Sequence, residues 1–318
     1  MQLSVAPMEG VTGCIFRSVH ARMFGGADRY YSPFIAPDGS GIFKAGSLRD
    51  VLPENNRGIT LIPQILANRS EAFLAAARRL AELGYEEVDL NVGCPSGTVV
   101  AKHKGSGMLA DLRSLDDFLA DVFALSPVRV SVKTRMGLAS TEEFGKILDI
   151  YNKYPLCELI IHARDRADMY KSAPDIPAFA AAYGKSRAPV TYNGDIFTPS
   201  DVERVRAAVP ELSSFMLGRG PSANPALFRQ LRGGRALEKE ELREFHDTLV
   251  AETLASGLSE SFTVSRMKEL WFYMSCLFPD GKRAVREINK ARSMGDYRAA
   301  VGTLFSSGGF DGSLGFHG

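Results

Sequence analysis

Cys94 stands in the run Asn91-Val92-Gly93-Cys94-Pro95-Ser96, between a glycine and a proline. A cysteine is more often a small buried hydrophobe than a reactive group. In a loop, with a pKa of about 8.5, its thiol is mostly protonated at neutral pH and can donate a proton without tuning. A nucleophilic role needs a lowered pKa and a partnering base. Lys133 opens Lys133-Thr134-Arg135, His162 opens His162-Ala163-Arg164, and Gln64 interrupts an apolar run. Together they supply a cation, an imidazole and an amide with both donor and acceptor. That set suits a flat heteroaromatic ring carrying an imide, such as an isoalloxazine. A lysine can stabilise its reduced anionic form, and a glutamine can hydrogen-bond its N3–C4 edge. The rival occupant is a carbonyl substrate, with Lys133 as a Schiff-base lysine.

Two further stretches, Asn193-Gly194-Asp195 and Gly218-Arg219-Gly220, combine glycine with charge. Glycine lets backbone N–H groups approach phosphate oxygens, and a helix N-terminus adds positive potential. Arg219 offers a charge-assisted contact. Ordinary turns that need glycine explain each stretch alone; the pair suits phosphate. Residues 218–223 also match G-x-G-x-x-A. A dinucleotide fold would then need a second strand with an acid about 20 residues on. Only helical patterns follow, so the phosphate inference stands without the dinucleotide one.

These residues share a place in the pattern. Apolar, Val/Ile/Leu-rich runs predict strands at Leu3–Pro7, Arg29–Ile35, Ile59–Leu66, Glu87–Asn91, Val128–Lys133, Cys157–His162, Ala188–Asn193 and Ser213–Gly218. Near-continuous runs of this kind suit strands buried on both faces. Amphipathic stretches lie between most of them. Ser70–Gly84 has Ser70 as expected N-cap, Ser114–Leu125 has Ser114, and Thr198-Pro199 opens a helix to Ala208. Alternating strands and helices over roughly 230 residues predict a (β/α)8 TIM barrel. A doubly wound open sheet is the competing layout. Residues 33–57 are the irregular part of the count. Barrel chemistry lies at the C-terminal ends of the strands. Ala6-Pro7-Met8-Glu9-Gly10, Gln64, the Cys94 run, Lys133, His162, Asn193 and Gly218 all stand there.

After Gly233-Gly234 only helical patterns appear. The expected organisation is a barrel over 1–235, a small all-helical domain over 236–306 and a mobile Gly/Ser-rich tail over 307–318. Lys282, Arg283, Arg286, Lys290 and Arg292 cluster in the helical part. Lys282, Arg286 and Lys290 recur every fourth residue and form one stripe, with Val285 and Ile288 on another side.

The 318 residues carry 38 basic and 37 acidic side chains, so net charge gives no pointer to nucleic acid, though a local patch suffices for one. Hydrophobic residues make up 45% and charged residues 24%, which excludes a disordered or collagenous chain. Cys14, Cys94, Cys157 and Cys276 are far apart, which suggests neither a zinc site nor a disulfide framework. No apolar run approaches the roughly 18 residues of a membrane span, and residues 1–10 lack signal-peptide features. A cytoplasmic protein without metal is expected.

The strand-end motifs, taken in order, resemble the tRNA-dihydrouridine synthase family. Residues 6–12 (Ala-Pro-Met-Glu-Gly-Val-Thr) resemble its opening segment, and 89–95 (Asp-Leu-Asn-Val-Gly-Cys-Pro) its signature loop. Residues 132–137, 162–164, 193–195 and 218–220 follow. The resemblance spans about 3–230 and implies an FMN-bound barrel reducing the C5–C6 bond of uridines in tRNA, with NADPH or NADH as reductant. It implies that Gln64, Lys133, His162, Asn193, Asp195, Gly218 and Arg219 hold FMN, with Pro7 and Met8 beside the ring. Cys94 becomes the catalytic acid, Asn91 and Arg135 position the uracil, and the Lys282/Arg286/Lys290 stripe meets RNA phosphate. The sequence departs after His162-Ala163-Arg164, where Asp165, Asp168 and Tyr170 stand in place of the family's usual Thr and Gln-x-Tyr. The stretch 97–107 also looks individual. Rival readings are a small-molecule FMN-barrel oxidoreductase of the dihydroorotate dehydrogenase type and a non-catalytic RNA-binding barrel.

Overall fold

A computed structural model describes residues 1–38, 43–306 and 309–316. Its strands are β1 Gln2–Val5, β2 Arg29–Tyr31, β3 Leu61–Ile62, β4 Gln64–Ile65, β5 Glu87–Val92, β6 Arg129–Arg135, β7 Leu159–His162, β8 Val190–Asn193 and β9 Ser214–Leu217. They form one nine-stranded sheet in the order β3-β2-β1-β9-β8-β7-β6-β5-β4, with every ladder parallel. The two ends of that order, β3 and β4, are separated in the chain by Pro63 alone, so the sheet closes on itself. The barrel is therefore observed, and the open doubly wound layout is excluded. The single strand expected at 59–66 is two short segments because proline has no N–H for a ladder. The Pro63 carbonyl still accepts from the Asp89 N–H.

Period-2 alternation sorts the strand residues. Val88, Leu90, Val92, Val130, Val132, Leu159 and Ile161 share one cluster with Phe73, Leu80, Leu115, Phe118 and Leu119. Those partners lie on α3 (Ser70–Glu82) and α5 (Leu112–Leu125), two of the surrounding helices. The alternate residues, among them Asp89, Asn91, Ser131, Lys133 and His162, therefore point into the barrel.

The other helices on the barrel are α1 Cys14–Met23, α2 Ala45–Val51, α4 Gly97–Val100, α6 Phe144–Tyr151, α7 Ile176–Tyr183, α8 Pro199–Ala208, α9 Arg219–Ala223 and α10 Leu227–Leu231. Thr198 caps α8 in a capping box with Asp201, as the sequence predicts. Two other caps shift. Asp111, not Ser114, caps α5, its carboxylate accepting from the N–H groups of Arg113 and Ser114. Ser70 lies inside α3, after Arg69, and its hydroxyl donates to Asp121 instead.

The helical part comprises α11 Lys239–Ala255, α12 Glu260–Met274, α13 Gly281–Lys290 and α14 Met294–Ser306. Its core, built on Phe245, Met267, Trp271 and Tyr297, also takes in Phe16 and Val19 from α1 of the barrel and Phe24 just after it. Residues 307, 308, 317 and 318 of the tail lie outside the described residues. The rest of it is packed rather than loose. Asn224 and Gln230 each donate to the Gly312 carbonyl at 2.9 Å. Phe316 is buried against Phe197, Phe272 and Tyr273. Among the described residues no helix is long and apolar enough to cross a membrane.

Candidate active site

The C-terminal ends of the strands bring most of the singled-out residues to one mouth. Cys94 follows β5 and is half-buried. Its backbone N–H and that of Gly93 donate to Asn91 Oδ1 at 2.9 and 3.1 Å, which closes the loop tightly after the strand. Burial raises the Cys94 thiol above its ordinary pKa, against the pull of Lys133 and Arg135 nearby. It is therefore a protonated thiol at neutral pH, suited to give a proton rather than to attack.

Lys133 projects inward from β6, opposite Asn91 on β5. Among the described residues no hydrogen-bond partner faces its ammonium. Burial first, and the Arg135 charge second, lower it to about 8. His162 ends β7 and is held well below its usual range by burial and by the charges of Arg135, Lys133, Arg164 and Arg219. Arg164 Nη1 lies 3.3 Å from His162 Nε2. A guanidinium only donates, so that nitrogen accepts and the neutral ring carries its proton on Nδ1.

Asn193 ends β8 and donates to the Met216 carbonyl at 2.8 Å, tying β8 to β9. Asp195 sits between two guanidiniums: Arg164 donates to both of its oxygens, to Oδ1 at 3.0 Å, and Arg219 pairs with the same Oδ1. Arg219 also lies 4.3 Å from the Tyr170 ring centre, in cation–π contact. Met8, after β1, reaches across to β9. A Cβ on Gly218 would come within 2.9 Å of the Met8 sulfur, so a larger residue there would push the Met8 side chain aside. Pro7 is half-buried beside it.

Arg135 is fully buried and holds two loops together: it donates to the carbonyls of Gly93, Asp165 and Met169 at 3.2, 2.7 and 3.1 Å. Three residues unassigned from sequence join the site. Asp89 accepts from Gln64 and Ser131 beneath the mouth, and burial raises it to about 7. Arg164 pairs with Asp195. The Tyr170 ring stands against His162 and over Arg135, Arg164 and Arg219. Arg164 lay in plain sight in His162-Ala163-Arg164. Asp89 opened the run 89–95 and stood two residues before Asn91, but no sequence signal assigned it a role.

Lys282, Arg286 and Lys290 do not reach the mouth. They are exposed on α13, where Lys290 pairs with Glu287 at 2.8 Å, while Ile288 turns into the helical core. Between the mouth and the helical part runs a cleft of about 510 Å³, lined in part by Glu9, Phe34, Lys44, Phe262 and Arg266. Gly10 (φ +81°) closes that junction; a Cβ there would run into Arg266 and Glu269 of α12. Among the described residues no group of His, Cys, Asp and Glu is arranged to hold a metal ion.

The donor set fits a flavin. Among the described residues the half-buried Lys133 ammonium has no protein partner; it and the His162 imidazole meet above the barrel, over the fully buried Gln64 amide. Arg219 and two glycines stand at the β8–β9 corner where barrels hold phosphate.

Comparison with known proteins identifies the family. Over 303 residues the chain is 27% identical to the tRNA-dihydrouridine(16) synthase of Pseudomonas putida, covering 91% of this chain and 93% of that protein. It is 31% identical over 249 residues to the tRNA-dihydrouridine(16) synthase of Ralstonia nicotianae, covering 76% and 75%. Tetrahydro-NAD-bound morphinone reductase superposes with a TM-score of 0.52 at 13% identity, over 74% of this chain and 88% of that one. Histamine dehydrogenase from Rhizobium sp. 4-9 gives 0.53 at 9%, over 77% and 46%. At such identities these two speak for the fold alone. The profile described as dihydrouridine synthase (Dus) matches residues 4–292, and the chain belongs to that family.

Proposed function

We propose that this protein is an FMN-dependent tRNA-dihydrouridine synthase, which reduces the C5–C6 bond of uridines in tRNA with NADPH or NADH as reductant. The observation that supports the reading is that Cys94, Lys133, His162 and Arg219 all stand at the C-terminal ends of neighbouring parallel strands, around one barrel mouth. Gln64, Lys133 and His162 would hold the isoalloxazine. Asn193, Asp195, Gly218 and Arg219 would hold the phosphate end, with Pro7 and Met8 beside the ring. Asp195 acts there by fixing Arg219 in place. A flavin held by these residues would supply hydride chemistry for uracil C6.

The chain's own residues do the rest. Cys94 gives its proton to C5. The neighbouring positive charges then stabilise the thiolate that remains, and solvent returns the proton. Asn91 and Arg135 serve the uracil by fixing the loops around it. The cleft beside Glu9 and the stripe on α13 give the RNA somewhere to rest, since a base must leave its stack to be reached.

A general acid is worth about 10²–10⁴-fold. Cys94→Ala is expected to purify with its flavin and to lose dihydrouridine formation by at least about 100-fold. Undiminished turnover in that variant would remove the acid assignment. Reduction of free pyrimidines without tRNA would overturn the substrate assignment in favour of a small-molecule oxidoreductase.

A further inference from the structure

One hydrogen-bonded chain runs through β4, β5 and β6 inside the barrel. It starts at the Cys94 loop. Backbone N–H groups only donate, so Gly93 and Cys94 fix Asn91 Oδ1 toward the loop. Asn91 Nδ2 must then face the other way, and it donates to Gln64 Oε1 at 2.7 Å. That leaves Gln64 Nε2 to donate to Asp89 Oδ2, also at 2.7 Å. Ser131 donates to Asp89 Oδ1 at 2.9 Å. The sheet register makes this possible: Gln64 stands opposite Asp89, and Asp89 opposite Ser131. Gln64, Asp89 and Ser131 are fully buried, so water does not substitute for any of them.

An amide by itself fits either way round; here the ends of the chain choose. One end can only donate; at the other the Asp89 carboxylate accepts from both neighbours, and when protonated it still keeps a carbonyl oxygen for Gln64 Nε2. Without an acceptor at position 89, Gln64 Nε2 is a buried donor with no partner. Turning the Gln64 amide over brings its N–H groups against those of Asn91. The conflict then passes to the Cys94 loop.

We propose that Asp89 is a positioning residue: through Gln64 and Asn91 it fixes the sense of both amides at the barrel mouth and holds the loop that carries Cys94. The proposal deepens the flavin reading, on which it rests for what Gln64 faces. Its hold on the Cys94 loop is independent of that reading.

The test compares Asp89→Leu, Asp89→Asn, Asn91→Ala and the double variant Asp89→Leu/Asn91→Ala in the full chain. One readout is the rate at which iodoacetamide alkylates Cys94, followed on its peptide by mass spectrometry in the protein as purified. The other is the visible spectrum of bound flavin. Cys94 alkylation is expected to rise on the order of tenfold in Asp89→Leu. It should stay within about threefold of wild type in Asp89→Asn, where an acceptor oxygen remains for Gln64. The double variant should be no faster than the faster single, because both changes break one chain. The flavin band should shift in Asp89→Leu and not in Asp89→Asn. Wild-type alkylation in Asp89→Leu, or additive effects in the double variant, would overturn the proposal. Asp89→Ala carries the same expectation if the leucine variant does not fold. A wild-type protein without flavin would sink the cofactor reading alone, and the alkylation rates would still decide on Asp89.

Discussion

Lys133 shows how a site residue can be legible in sequence while its chemistry is not. Its place at a strand end marked it, as it marked Gln64, Cys94 and His162. Its acidity follows from burial and from Arg135, two positions along the same strand and on the same inward face. With its pKa lowered to about 8, Lys133 loses its charge as pH rises through that value. If its ammonium stabilises negative charge on the reduced cofactor, dihydrouridine formation falls above pH 8. Lys133→Arg, charged at every accessible pH, is expected to lower the plateau and to abolish that alkaline limb. A pH–rate profile of the two proteins checks this, and an unchanged limb in the arginine variant would assign it to another group. Asp89 was not legible in the same way. Its partners Gln64 and Ser131 lie 25 and 42 residues away, and only the register of three strands aligns them.

At the scale of elements, periodicity and turn residues located every strand, because each inward or outward choice repeats along a run. They failed where one residue decides. Pro63 divides a strand that its apolar neighbours would have carried through. Asp111 takes the cap of α5 from Ser114 because a carboxylate one turn earlier reaches two N–H groups at once. The stripe on α13 was legible because it is local: Lys282, Arg286 and Lys290 are exposed, and Ile288 anchors the opposite side in the core. An exposed stripe of this kind meets phosphates without displacing any packed group. Reversing all three to glutamate is expected to weaken tRNA binding and to reduce the slope of log K against log salt by roughly two to three, about one per lost contact. The spectrum of bound flavin should be unchanged, since the stripe stands apart from the mouth. Binding titrations across a salt series measure the slope, and an unaltered one would exclude the stripe from the interface.

At the scale of the molecule, α1 joins the two cores. Phe16 and Val19 on α1 and Phe24 just after it belong to the helical cluster, and His20 of α1 lies among them. The ring of His20 is fully buried, 2.9 Å from the Tyr30 hydroxyl and within 6.1 Å of the rings of Phe16, Phe24 and Phe228. Burial lowers its pKa from 6.5 to about 4. The unfolded chain therefore binds this proton below pH 6.5, while the folded chain refuses it until about pH 4. Where the unfolded state binds more protons, stability falls with falling pH. The contribution of His20 is intact above pH 6.5 and is lost between there and pH 4. Between pH 7 and pH 5 it amounts to roughly 2 kcal/mol. His162, also buried and depressed, acts in the same direction, whereas Asp89, raised to about 7, gains stability as pH falls and opposes both. The net slope of the wild type is thus a sum, and the share of His20 must be isolated by difference. His20→Gln keeps a polar atom for Tyr30 and removes the titration. Urea denaturation at pH 7 and at pH 5 should show the wild type losing roughly 2 kcal/mol more than the variant over that interval. Equal losses in the two proteins would mean that the junction between barrel and helical part does not sense pH through this residue.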